Sequence, residues 1–189
     1  MELFQSRQKK LAEKVVSALQ QHQFELATME SCTGGGLAHA LTSVKGAGWV
    51  YQGGIVTYSS FAKLHAGVSS DILHNPNGPY TPEVAREMAR VSLNSPFEPL
   101  PQNGNVIGVG ITGILETSDK FYPHIPQGTV WVGIYHDHAT EVYQLQLPKR
   151  GRQRMKNRLI NETLRLVDQT ITRPERRSHC RAVVQQLHM

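Results

Sequence analysis

Glu30-Ser31-Cys32-Thr33-Gly34-Gly35-Gly36 stands between an apolar run, Phe24 to Met29, and a stretch carrying Leu37, Leu41 and Val44 at helical spacing. These residues therefore sit where a strand hands over to a helix. Glycines in a helix's first turn cost about 1 kcal/mol each relative to alanine, so their presence needs a reason other than helix stability. Close approach by a ligand or another backbone supplies one. Ser31 or Thr33 is expected to cap the helix, leaving the N–H groups behind them bare, electropositive and suited to an anion or oxyanion. The competing reading is a capped helix start whose glycines pack tightly on a sheet. No Gly-Lys-Ser/Thr follows, which excludes a Walker loop, and no GxGxxG fingerprint is present.

Outward from this point the chain alternates strand and helix signals. Before it, Gln5 to Gln20 carries Leu11, Val15 and Leu19 on one helical face. After it, Lys45-Gly46-Ala47-Gly48 closes the helix, and Trp49-Val50-Tyr51 with Gly53 to Tyr58 predicts a strand or strand pair. Ser59 or Ser60 can cap a short helix, Ser60 to Ala66, which puts Tyr58 at a strand end and Lys63 one turn into the helix. Thr81-Pro82-Glu83 opens a helix with Val84, Met88 and Val91 on one face. A loop containing Pro96, Pro99 and Pro101 lies between Leu93 and Gly104 and is expected to be exposed.

Asn105 to Thr112 is a nearly unbroken apolar strand, the kind covered on both faces. Gly128 to Tyr135 and Glu141 to Leu147 predict a hairpin around His136-Asp137-His138-Ala139, and Arg154 to Ile171 a final helix burying Ile160, Leu164 and Val167. The interleaving implies an α/β fold, a three-layer α/β/α sandwich on a mixed, mostly parallel sheet. Residues 1–171 read as a single domain and 172–189 as a basic, exposed tail.

At 189 residues with 39% hydrophobic and 19% charged positions, the chain has the make-up of an ordinary globule. No apolar run approaches the roughly 20 residues that span a bilayer, and the start lacks a secretory pattern, so a cytoplasmic protein without a membrane partner is expected. Cys32 and Cys180 have no CxxC spacing, which argues against a disulfide framework or zinc site. His136 and His138 can share a face but lack further ligands, so a polar turn is expected and no metal. Much of the +5 net charge lies after Lys149. It suits a small phosphorylated ligand as well as nucleic acid, and Arg173, Arg176, Arg177 and Arg181 lack the interleaved aromatics of a nucleic-acid site.

Glu30-Ser31-Cys32-Thr33-Gly34-Gly35, Thr57-Tyr58-Ser59 with Ala62-Lys63, Ile111-Thr112-Gly113-Ile114 and Gly128-Thr129-Val130, in this order, resemble the CinA C-terminal domain family, which includes the nicotinamide-nucleotide amidases. The resemblance runs from about Leu11 to Val167. It implies hydrolysis of the carboxamide of nicotinamide mononucleotide to nicotinic acid mononucleotide and ammonia, with no cofactor. Ser31 would be the nucleophile and Lys63 the base, with Tyr58 relaying a proton between them or holding the lysine. Backbone donors around Thr33, Gly34 and Gly35 would hold the oxyanion, and the Thr112-Gly113 motif would contribute to the substrate site. Arg154 and Arg158 match the spacing of the family's two arginines and would take the phosphate, although Gly151-Arg152-Gln153 replaces the preceding Gly-Asp.

The chemistry makes demands of its own. A lysine at its unperturbed pKa of about 10.4 is a poor base at neutral pH, so a fall to about 7, worth roughly 4 to 5 kcal/mol, is required. Cys32 is a rival nucleophile, since a thiolate at a helix start outperforms a hydroxyl; the resemblance favours Ser31 and leaves Cys32 a small buried residue. After Ile114 the family's Ala-Gly-Pro and glycine-rich loop gives way to Leu115-Glu116-Thr117-Ser118-Asp119-Lys120-Phe121-Tyr122, bulkier and more acidic. A second reading follows from that change: a catalytically impaired nucleotide-binding or regulatory homologue. A homo-oligomer is expected under either.

Overall fold

The computed structural model describes residues 2–94, 105–115, 121–173 and 184–187. Residues 95–104 of the proline loop, 116–120 of the altered loop and 174–183 of the tail, with Cys180, lie outside the described residues. Helices α1 (Glu2–His22), α2 (Gly36–Thr42), α3 (Ser60–His65), α4 (Ser70–Leu73), α5 (Pro82–Val91) and α6 (Arg152–Thr172) alternate with strands β1 (Glu25–Glu30), β2 (Tyr51–Val56), β3 (Val106–Gly113), β4 (Thr129–His136), β5 (Ala139–Gln146) and β6 (Val184–Leu187).

The strands form one sheet in the order β2-β1-β3-β4-β5-β6. β1 runs parallel to β2 and β3, β4 is antiparallel to β3 and β5, and β6 is parallel to β5, so β4 alone runs against the rest. The sheet is thus mixed and mostly parallel, as the alternation of elements implies. Its hairpin turns at Asp137 and His138, both with positive φ (50° and 60°), the left-handed pair that a two-residue turn needs to match strand twist. The polar turn is therefore a geometric element.

Helices α1, α2 and α6 cover one face over a core of Val15, Leu19, Leu41, Ile107, Val132 and Leu164. On the other face α5 lies directly on the sheet, with Val84, Met88 and Val91 packed on Met29. Gly108, Gly110 and Gly133 make that approach possible, because a Cβ on any of them would overlap the α5 backbone at Ala85 or Ala89. The three-layer sandwich follows.

The local differences from the sequence reading have identifiable causes. Ala47–Trp49 is a 3-10 turn, so β2 begins only at Tyr51, and Trp49 is exposed. Gly34 and Gly35 precede α2 with φ of 62° and 84°; only Gly36 is helical. The glycines pay for left-handed turn geometry, not for a helix's first turn. The tail does not simply extend into solvent: residues 184–187 return as an edge strand on β5.

Candidate active site

The carboxyl ends of the parallel strands β2, β1 and β3 meet at one edge of the molecule. Crossovers leave β1 and β2 on opposite faces of the sheet, which opens a crevice beyond these strand ends. A cavity of about 470 Å³ occupies it. Ser31 enters from the end of β1, Tyr58 and Lys63 from the segment after β2, and Gly113 to Leu115 from the end of β3.

Ser59 caps α3 by accepting the Ala62 N–H at 3.0 Å, and this short capped helix turns Lys63 inward, where it is 1% exposed. Its ammonium donates to Ser31 Oγ at 3.0 Å and to the Thr57 carbonyl at 2.9 Å. Burial pushes the lysine down from 10.5 to about 8. This fall stops short of 7, and about a tenth of the lysine is neutral at pH 7. No carboxylate pairs with Lys63 among the described residues. A buried serine hydroxyl in direct contact with a partly neutral amine is the arrangement of a base-activated nucleophile.

Tyr58 stands at the rim, 62% exposed, with its phenol oxygen accepting from Arg152. Since Lys63 reaches Ser31 directly, no bridging phenol intervenes, and Tyr58 does not lie between them. Cys32 lines the same cavity, but burial raises its thiol to about 12, which leaves almost no thiolate at neutral pH. A wall of Tyr80, Phe121 and Tyr122 closes the far side, with Tyr80 and Tyr122 in an edge-to-face pair at 5.7 Å.

Other expected residues lie elsewhere. Thr33, Gly34 and Gly35 face a separate groove between α1, α2 and α6. Neither Ser31 nor Thr33 caps α2; Gly35 is its N-cap, with no side-chain bond. The Leu37 and Ala38 N–H groups are taken by the carboxylate of Glu30, at 3.0 and 2.8 Å. Glu30 is fully buried, so the helix start that looked open to an external anion is filled by an internal one. Of the residues that follow Ser31 in the turn, Cys32 borders the Ser31 cavity, whereas Thr33, Gly34 and Gly35 do not.

Thr112 is buried and spends its hydroxyl on the Pro79 carbonyl at 2.6 Å, holding one wall of the cavity without lining it. Gly113 does line it, and packs so closely on Thr129 and Val130 that a Cβ would overlap them. Arg154 and Arg158 do not line the cavity: Arg154 is exposed, and Arg158 is half-buried with a buried, unpartnered Nε. Arg152 reaches the cavity instead.

The comparisons with known proteins bear on the whole constellation. The model of the CinA C-terminal domain matches residues 8–171. The chain belongs to the CinA C-terminal domain family. Within it, a putative competence-damage inducible protein of Caldanaerobacter subterraneus subsp. tengcongensis is 40% identical over 141 residues, covering 72% of this chain and 31% of that protein. A CinA-like protein of Thermotoga maritima is 37% identical over 144 residues, covering 75% and 33%. The chain thus matches about a third of the length of these relatives.

Among solved structures, the competence-damaged protein (CinA) superfamily protein from Klebsiella pneumoniae 700603 superposes with a TM-score of 0.77 at 23% identity, covering 87% of this chain and 97% of that one. The competence/damage inducible protein from Agrobacterium tumefaciens gives 0.75 at 23% identity, covering 88% and 96%. These likenesses establish the CinA fold, and no helix among the described residues is long and apolar enough to cross a membrane.

Two features of this CinA-family site escaped sequence reasoning. One is Arg152: Gly151, with φ 77°, marks the start of α6, so Arg152 is its first residue, level with the strand ends. Arg158 climbs about 9 Å further along the axis at 1.5 Å per residue. The other is the aromatic wall: Tyr80 lies about forty residues before the adjacent pair Phe121-Tyr122, and no local spacing signals that they meet.

Proposed function

We propose that this chain hydrolyses the carboxamide of nicotinamide mononucleotide, giving nicotinic acid mononucleotide and ammonia. The observation that carries the reading is the buried 3.0 Å contact between Lys63 Nζ and Ser31 Oγ. In its neutral form Lys63 takes the proton of the Ser31 hydroxyl as the oxygen attacks the amide carbon. The same ammonium then protonates the departing nitrogen, so ammonia leaves and the acyl group stays on Ser31. Water, deprotonated by the returned amine, attacks the ester; the C–Oγ bond breaks as the Lys63 ammonium returns that proton to Ser31 Oγ, and the carboxylate leaves. The Cys32 N–H is the donor we assign to the oxyanion.

Substrate features fit the walls. A pyridine ring can lie against Tyr80, Phe121 and Tyr122, and Arg152 at the mouth suits a phosphate. In this reading the protein acts in the cytoplasm on a small molecule, without cofactor, metal, membrane or nucleic acid. Ile55, Val56, Phe61 and Leu64, exposed along and beside the open edge at β2, support a homo-oligomer.

The test is ammonia release from nicotinamide mononucleotide beside calorimetric binding of the same compound. Turnover by the wild type and its loss in Ser31→Ala and Lys63→Ala, with folded spectra, is expected. Binding without turnover would instead favour the nucleotide-binding homologue, for which Phe121 and Tyr122 beside the nucleophile are the supporting feature.

A further inference from the structure

On the far side of the nucleophile turn lies a second groove, about 690 Å³, between the N-terminal halves of α1 and α6 and helix α2. Its floor is apolar or bare backbone: Ala40, Ile160 and Gly34 to Gly36. Polar residues line it from three elements. Gln8 comes from α1, Thr33 from the turn, and Lys156 from α6. The Thr33 hydroxyl is wholly buried without a hydrogen-bond partner, and so is the Nε2 of Gln8. Unpartnered buried polar atoms are costly, typically about 1 to 3 kcal/mol each, unless something satisfies them.

Charge points to the class of ligand. No acidic side chain lines the groove among the described residues. Lys156 has no ion-pair partner there, and Lys9 at the rim has only a stretched 4.0 Å pair with Glu13. Lys156 Nζ stands 3.1 Å from where a Cβ on Gly34 would sit, so a side chain at that position would crowd the ammonium. A volume of this order accommodates a nucleotide-sized molecule.

We propose that this groove is a second ligand site, taking a small phosphate-bearing molecule on Lys156, giving the covered Thr33 hydroxyl and Gln8 Nε2 their missing partner as the turn shifts to uncover them, and so reporting its occupancy to the nucleophile. The link is short. Gly34 N–H donates to the Ser31 carbonyl at 2.9 Å, and Gly36 N–H to that of Thr33 at 3.3 Å, so the groove's floor and the nucleophile belong to one hydrogen-bonded turn. A ligand that pulls on Thr33 or Gly34 shifts Ser31 relative to Lys63. The binding claim holds whether or not the chain is an amidase.

Adenosine 5′-monophosphate serves as the probe and adenosine as its uncharged control, with binding followed by calorimetry and by amide NMR shifts on the whole chain. Expected are saturable shifts at Thr33, Gly34 and Ser31 with the monophosphate, none with adenosine, and affinity at least tenfold weaker in Lys156→Gln and reduced in Thr33→Val. Arg152→Gln, which alters the other cavity, should leave these shifts in place. Unchanged affinity in Lys156→Gln, loss only in Arg152→Gln, or no shifts at millimolar monophosphate would each overturn the proposal.

Discussion

Lys63 Nζ donates to Ser31 Oγ at 3.0 Å across 32 positions of chain, with no third group between them. On the proposed mechanism, turnover depends on the fraction of Lys63 that has lost its proton, since only the neutral amine can accept from the hydroxyl. With the lysine pushed down to about 8 by burial, kcat/KM for nicotinamide mononucleotide should rise about tenfold per pH unit below 8 and level off above it. Ser31→Ala should lower it by roughly a thousandfold or more. Initial rates of ammonia release between pH 6 and 9.5 check both. A rate that falls with rising pH would exclude the lysine as base.

The same burial makes Lys63 a stability cost with a definite sign. Its folded pKa, about 8, lies below the ordinary 10.5, so between these values the unfolded chain binds more protons and the native state gains as pH rises. Below pH 8 the full cost, roughly 3 kcal/mol, is present; above 10.5 it is gone. Lys63→Met removes the titration. The wild type should therefore gain on the Met variant by up to that amount between pH 8 and 10.5, measured by urea denaturation of both proteins across that range.

Much of this architecture was legible because the local signals agree. Ser59 ahead of Ala62 and Thr81 ahead of Val84 cap their helices as Ser/Thr chemistry predicts, and both caps are made. The alternation of strand and helix gave the sandwich, and Ser31 and Lys63, singled out by the family resemblance, come from a strand end and a short helix that topology brings together. What stayed hidden depends on partners distant in sequence. Nothing local says that Glu30 folds back onto Leu37 and Ala38, that Tyr58 turns to Arg152, or that Thr33 and Ser31, two positions apart, face different cavities. The return of residues 184–187 to β5 likewise has no signal in a polar, arginine-rich segment.

Arg152, and neither Arg154 nor Arg158, stands at the mouth of the Ser31 cavity. If it receives the substrate's phosphate, Arg152→Ala should raise KM for nicotinamide mononucleotide by tenfold or more while leaving KM for nicotinamide riboside, which lacks the phosphate, nearly unchanged. Arg154→Ala should change neither. Steady-state kinetics on the two substrates separates a phosphate contact from a general loss of structure.

Cys32 makes a test of the nucleophile's identity. Its thiol, raised to about 12 by burial, is un-ionised at pH 8 and should react with iodoacetamide far more slowly than a free cysteine. Cys32→Ala should keep the amidase rate within a few-fold and cost about 1 kcal/mol for the small void. Mass spectrometry of the alkylated Cys32 peptide and the variant's turnover measure these outcomes. Loss of activity equal to that of Ser31→Ala would transfer the nucleophile's role to the thiol.

Glu30 sits immediately before Ser31, fully buried, with its two carboxylate oxygens holding the Ala38 and Leu37 N–H groups at 2.8 and 3.0 Å. These bonds close the turn that carries Ser31 and satisfy the start of α2, where no side-chain cap exists. Glutamine in its place can accept from one of these donors but points an NH2 group at the other. Glu30→Gln should therefore cost roughly 2 kcal/mol, the scale of a charge-assisted hydrogen bond lost in a buried setting. Glu30→Ala, which strands both donors, should cost more. Urea midpoints give the order wild type, Gln, Ala; equal midpoints for wild type and Gln would show that the carboxylate's charge contributes nothing to the turn.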